Sequence, residues 1–162
     1  MFITATKLPL HCLTRAKPAV MKLMGYCPFP LQKAIIEPLL NQIFAEAIND
    51  DDLDFLRGRY LLVNISDLPL QLCLTYSENR LRIVDGMGDG DAKITGTTKS
   101  FVLLASRQED PDTLFFRRQL SIEGDTDLGL ATKNLMDSIE LSNVPGPLRH
   151  ALDKAGKIFA YS

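Results

Sequence analysis

From Leu31 onward apolar residues recur in pairs four apart, Ile35/Ile36, Leu39/Leu40, Ile43/Phe44 and Ala47/Ile48, with polar residues between them. That spacing predicts a helix with a wide apolar face, ending in the cluster from Asn49 to Asp52. Pro38 lies inside the pattern and removes one backbone bond, so the helix either kinks there or starts there. The period then changes to two. Leu61, Val63 and Ile65 alternate with Tyr60, Leu62 and Asn64, and Leu70, Leu72, Leu74 and Tyr76 alternate with Gln71, Cys73 and Thr75. These segments predict antiparallel strands. Ser77-Glu78-Asn79 makes a tight connection to a third strand over residues 80–84, and a fourth covers residues 92–96, with a meander as the natural arrangement.

Helical signals return after the fourth strand. Thr97 or Thr98 can cap a helix reaching Arg107, and Asp110-Pro111 opens another over residues 111–117. A fifth strand covers residues 120–123. Asp125 or Thr126 caps a helix running to about Leu141, and a last helix follows Pro145-Gly146, with Leu148, Ala151, Leu152, Ala155 and Phe159 at helical spacing. Strands grouped together and then helices predict an α+β fold.

Two of these helices carry too few polar residues for a small two-layer domain. Phe101, Val102, Leu103, Leu104 and Ala105 cover the whole circumference of a helix at about 100° per residue. Leu114, Phe115 and Phe116 span about 200° of a helix barely two turns long. Either other elements cover these faces, or the faces line something that is not protein, such as an apolar ligand.

Composition narrows the class. The chain has 162 residues, with 46% hydrophobic and 23% charged, which suits a single globular domain with a packed core. No stretch approaches the roughly 20 apolar residues of a membrane span. Charge is uneven: residues 1–36 carry five Lys and Arg and no acid, so with a total of −2 the remainder carries −7. Residues 1–30 read as a basic appended arm, stopped by Pro28-Phe29-Pro30, and residues 31–162 as the domain. Within the arm Pro18 can open a short amphipathic helix, with Val20, Leu23 and Met24 on one side and Lys17 and Lys22 off it. This is a pattern for contact with an anionic membrane surface, or for packing on the chain's own domain. Secretion is not indicated, since Lys22 interrupts the only candidate apolar region and no small-residue cleavage site follows. Nor is nucleic acid, because the basic residues are not interleaved with aromatics and no recognition motif is present.

Candidate chemistry is sparse. Three cysteines, Cys12, Cys27 and Cys73, at no metal-like spacing suit a reducing compartment, and two histidines, His11 and His150, cannot assemble a multi-histidine metal site. The loop from Asp85 to Asp91 has glycine spacing that joins two strands rather than opening a helix, so it is not a dinucleotide loop. Met87 and Gly96 stand where a calcium loop would need oxygen ligands. Neither histidine sits beside a nucleophile, so residue pattern offers no hydrolytic site.

One segment carries a resemblance. Asp110-Pro111-Asp112-Thr113-Leu114-Phe115-Phe116, then Ile122-Glu123-Gly124-Asp125-Thr126, Leu128-Gly129-Leu130 and Lys133-Asn134-Leu135, run contiguously. With the stretch Ile94 to Thr97, and with Phe55-Leu56 and Gly58-Arg59 before the first strand, they resemble the sterol carrier protein type 2 (SCP2) superfamily. More narrowly they resemble its UbiT-type accessory factors of oxygen-independent ubiquinone biosynthesis. The resemblance implies a five-stranded, mostly antiparallel sheet with helices packed on one face, enclosing a hydrophobic lipid tunnel, in agreement with the over-apolar helices. It also implies a non-catalytic protein without a cofactor that holds prenylated quinone precursors or phospholipid for ubiquinone biosynthesis enzymes, including iron–sulfur hydroxylases. Such a protein would be cytoplasmic and peripheral to the inner membrane. Helix faces nominate Phe101, Leu104, Leu114, Phe115, Leu128, Ala131 and Leu135 as lipid-binding residues. The competing readings are the related aerobic assembly factor, disfavoured because no heptads appear before Ser162, a general phospholipid or sterol-type carrier, and an enzyme using the same pocket.

Overall fold

The structure, a computed structural model, describes residues 26–86 and 90–161. The nominated membrane-contact residues Lys17, Val20, Lys22, Leu23 and Met24 lie outside the described residues, as do His11, Cys12 and Met87. Helix α1 spans Phe29–Ile43, with Pro28 before it and a second proline in its first turn, where no N–H is needed. It continues through Pro38 and breaks only at Phe44, beyond which α2 spans Ala45–Asn49. The single helix expected as far as Asn49 is therefore two.

Strands β1 (Leu61–Ile65), β2 (Leu70–Ser77) and β3 (Arg80–Val84) form the expected meander. Strand β4 (Ala92–Gly96) does not extend it. It pairs parallel to β1, on the far side from β2, and β5 (Leu120–Gly124) pairs antiparallel to β4, giving the order β3-β2-β1-β4-β5. The physical reason lies at β3. Its outer edge is already taken by α1, whose Glu37 carboxylate accepts the Ile83 N–H at 3.0 Å, so the next strand joins the free edge of β1. The connection is short because Ile83, Leu74, Leu61 and Ala92 stand at one level across four strands. The chain has only about 14 Å to cross at the usual strand spacing.

Alternation then sorts the sheet. Leu61, Val63, Leu72, Leu74, Tyr76, Leu81, Ile83, Ala92, Ile94, Leu120 and Ile122 share one face and join the core with residues of the helices. Three helices complete that layer after β4: α3 (Thr98–Ala105), α4 (Pro111–Phe116) and α5 (Thr126–Ser138). Their starts are capped as the sequence suggests. Thr97 accepts the Ser100 N–H at 3.2 Å, Asp110 accepts the Thr113 N–H at 2.8 Å, and Asp125 accepts the Leu128 N–H at 2.8 Å. Helix α5 stops at Ser138 rather than near Leu141, and the Arg107 side chain donates to the carbonyls of Asp137 and Ile139 just there. Helix α6 (Gly146–Ala160) then packs along α3. A Cβ at Gly156 would stand 2.1 Å from the Ser106 hydroxyl, so only glycine permits this approach.

Candidate lipid-binding cavity

Between the sheet and the helices lies a cavity of about 250 Å³. Its floor is Leu61, Val63, Leu74 and Leu81 of the sheet. Leu40, Ile43 and Phe44 close one side, Phe55 and Leu56 a second, and Phe101, Leu104 and Ala105 of α3 a third. Thr132, Leu135, Met136 and Ile139 come from α5 and the turn after it, with Val144 and Leu152 completing the wall. Thr132 is the single polar residue in this lining, and its hydroxyl donates to the Leu128 carbonyl at 2.7 Å. That leaves no lining side chain with a free hydrogen-bond donor. An apolar cavity of roughly 150 Å³ already admits benzene, so this apolar lining has room for a hydrocarbon chain.

Of the residues nominated from helix faces, the structure brings Phe101, Leu104 and Leu135 together in the lining. Leu114 and Leu128 are fully buried in the core without lining the cavity, and Phe115 packs half-buried against that core. Ala131 faces an outer depression with Asp52, Phe55, Asn134, Leu135 and Ser138. The over-apolar α3 is explained twice over, by α6 on one side and the cavity on the other. Helix α4 departs from the expectation. Phe116 is 92% exposed, because Pro111, Leu114 and Phe115 are the residues of that short helix that turn inward. Residues from α1, the strands and α6 were missed, although the paired spacing in α1 and the alternation in β1 and β2 already marked them as apolar.

Among the described residues, groups that could do chemistry form no hydrogen-bonded constellation. Exposed His150 shares a shallow depression with Ser106 and Asp153. Ser106 donates instead to the Leu103 carbonyl at 3.4 Å, and Asp153 pairs with Lys157 at 2.8 Å. Burial pushes the Cys73 thiol up from its ordinary pKa, and Asp91 adds to the shift, which leaves a poor nucleophile. Tyr76 is almost fully buried, its hydroxyl has no hydrogen-bond partner among the described residues, and burial raises its pKa. The Arg57 guanidinium lies 5.1 Å from its ring centroid. Among the described residues no cluster of His, Cys, Asp and Glu could hold a metal ion, and no helix is long and apolar enough to cross a membrane.

With this mixed five-stranded sheet and its helices over an apolar cavity, the chain belongs to the SCP-2 sterol transfer family, which residues 39–137 match. Over 125 residues it is 41% identical to the ubiquinone biosynthesis accessory factor UbiT of Escherichia coli K12, covering 77% of this chain and 71% of that protein. UbiT of Escherichia coli O157:H7 agrees to the same extent. The solved structure of the UbiJ-SCP2 ubiquinone synthesis protein superposes with a TM-score of 0.55 at 26% identity, covering 68% of this chain and 93% of that one. The resemblance carried by the segment from Asp110 to Leu135 is thereby borne out.

Proposed function

We propose that this chain is a non-catalytic, lipid-binding accessory factor of oxygen-independent ubiquinone biosynthesis. In this role it shields the tail of a prenylated quinone precursor, or of a phospholipid, for the enzymes that modify the ring. The observation that carries the reading is the cavity, apolar throughout its lining except for a Thr132 hydroxyl that is already bonded. The identity to UbiT supports the pathway. A tail leaves a bilayer only if an equivalent apolar surface replaces it, at about 0.8 kcal/mol for each buried methylene. Phe101, Leu104 and Leu135 would touch that tail, with Leu114 and Leu128 supporting them from the core, Phe115 beside it and Ala131 at the outer edge. The head, finding no polar partner inside, stays at the surface, where partner enzymes such as iron–sulfur hydroxylases would meet it. Contact with an anionic bilayer through Lys17, Val20, Lys22, Leu23 and Met24 would place the protein at the inner membrane.

Removing the gene in its host and measuring ubiquinone with and without oxygen tests the reading. Ubiquinone should fall only in cells grown without oxygen and recover when the gene is restored. An equal level in both strains without oxygen would overturn the reading.

A further inference from the structure

Helix α6 has two unlike faces. Leu148, Leu152, Ala155 and Phe159 are partly buried, and Leu152 lines the cavity. At about 100° per residue, Pro147, His150, Lys154, Lys157, Ile158 and the capping Tyr161 gather on the other side, within an arc of about 100°. All six are exposed, Ile158 by 53% and Tyr161 by 92%. The one acid of the helix, Asp153, is already paired with Lys157 at 2.8 Å. Lys154 forms no ion pair among the described residues.

We propose that the outer face of α6 lies on an anionic lipid surface, with Ile158 and Tyr161 in the headgroup layer and Lys154 and Lys157 against lipid phosphates. Charge selects this occupant. The whole chain carries −2, yet α6 sets Arg149, Lys154 and Lys157 against Asp153 alone. Side-chain form agrees with it. Lysine stems can lie along the acyl boundary while their ammonium groups stay among the phosphates, and tyrosine joins an apolar ring to a polar tip that suits the same level. Position agrees as well, because Leu152 puts the opposite face of α6 in the cavity wall. A helix about 10 Å thick would then separate the bilayer from the space for the tail. The contact rests on the carrier reading only for what it delivers, and it involves none of the residues of the arm.

The chain has no tryptophan, so Tyr161→Trp places a single fluorescent reporter on this face of the full chain. Vesicles of phosphatidylglycerol and phosphatidylcholine in equal parts should shift its emission to the blue, and added salt should reverse the shift. Adding Lys154→Gln with Lys157→Gln, both at exposed positions, should weaken vesicle binding about tenfold, since each lysine near an anionic surface contributes up to about fivefold. An unshifted emission overturns the proposal, and if the protein still sediments with the vesicles its membrane contact lies on another surface, such as the arm. An equal shift on phosphatidylcholine alone, or unchanged binding in the double glutamine variant, overturns it too. So does a shift without vesicles that grows with protein concentration, which would give the face to a second copy. Native mass spectrometry of the same protein reads the cavity separately: a salt-sensitive shift in a chain that carries no lipid supports the contact and counts against the carrier reading alone.

Discussion

Asn41 satisfies both outward backbone groups of Leu81: its side-chain oxygen accepts the Leu81 N–H and its amide donates to the Leu81 carbonyl, each at 2.9 Å. The second amide hydrogen goes to the Glu37 carbonyl of its own helix at 2.8 Å. With Glu37 taking the Ile83 N–H, α1 acts toward β3 as a sixth strand would. An open edge strand invites pairing with other chains, and α1 removes that hazard while forming one wall of the cavity.

Asn41→Leu should therefore destabilise the protein by about 2 kcal/mol, because it leaves a partly buried donor and acceptor unpaired. Chemical denaturation measures the loss. Light scattering of the variant should also rise with time as the β3 edge becomes available.

The cavity volume sets a length scale for its ligand. At roughly 30 Å³ for each water-sized group, about eight chain carbons fit. Affinity for single-chain amphiphiles should rise about fourfold for each methylene up to that length, from about 0.8 kcal/mol each, and then level off. Calorimetry on a series from six to twelve carbons measures it, and affinity that ignores chain length would mean that the tail does not enter.

Gly156→Leu should separate α6 from α3, since even a Cβ there meets the Ser106 hydroxyl and Cβ. Overpacking of this kind costs about 1–3 kcal/mol. With Leu152 of α6 in the cavity wall, the variant should also release a fluorescent fatty acid faster than the parent in stopped-flow displacement.

Asp110 gives a pH signature. Hydrogen bonds from the Thr113 hydroxyl and backbone N–H hold its carboxyl below the usual carboxylate pKa. A folded-state pKa below the unfolded one stabilises the protein above the unfolded value, and that contribution is lost as pH falls through the folded value. The melting temperature of Asp110→Ala should lie below that of the parent at neutral pH, and the gap should narrow as pH falls through and below the ordinary carboxylate range.

Much of this architecture was legible in the sequence. The bounds of β3 and β4 and the cap at Asp110 follow from local alternation and from side chains that bind their own backbone, while the caps at Thr97 and Asp125 are narrowed to two adjacent residues each. Strand order was not legible, because it depends on Asn41 and Glu37 binding residues some forty positions away. Nor was the cavity wall. Leu114 and Leu128 are as apolar as Leu104, and which of them faces empty space and which faces the sheet is decided by how the helices pack. The wide apolar pattern of α1 hid a similar division between inward Ile36 and Leu40 and outward Leu31 and Ile35.

The central claim is that the cavity carries a lipid tail, and native mass spectrometry of the purified full chain tests it most directly. The account predicts a species heavier than the chain by one phospholipid or prenylated phenol, recovered on solvent extraction. That species should be lost in Leu104→Glu, where an unpaired carboxylate would stand in an apolar wall. A spectrum showing only the bare chain, with no lipid extracted, would contradict the account, as would a folded Leu104→Glu variant that keeps the same adduct.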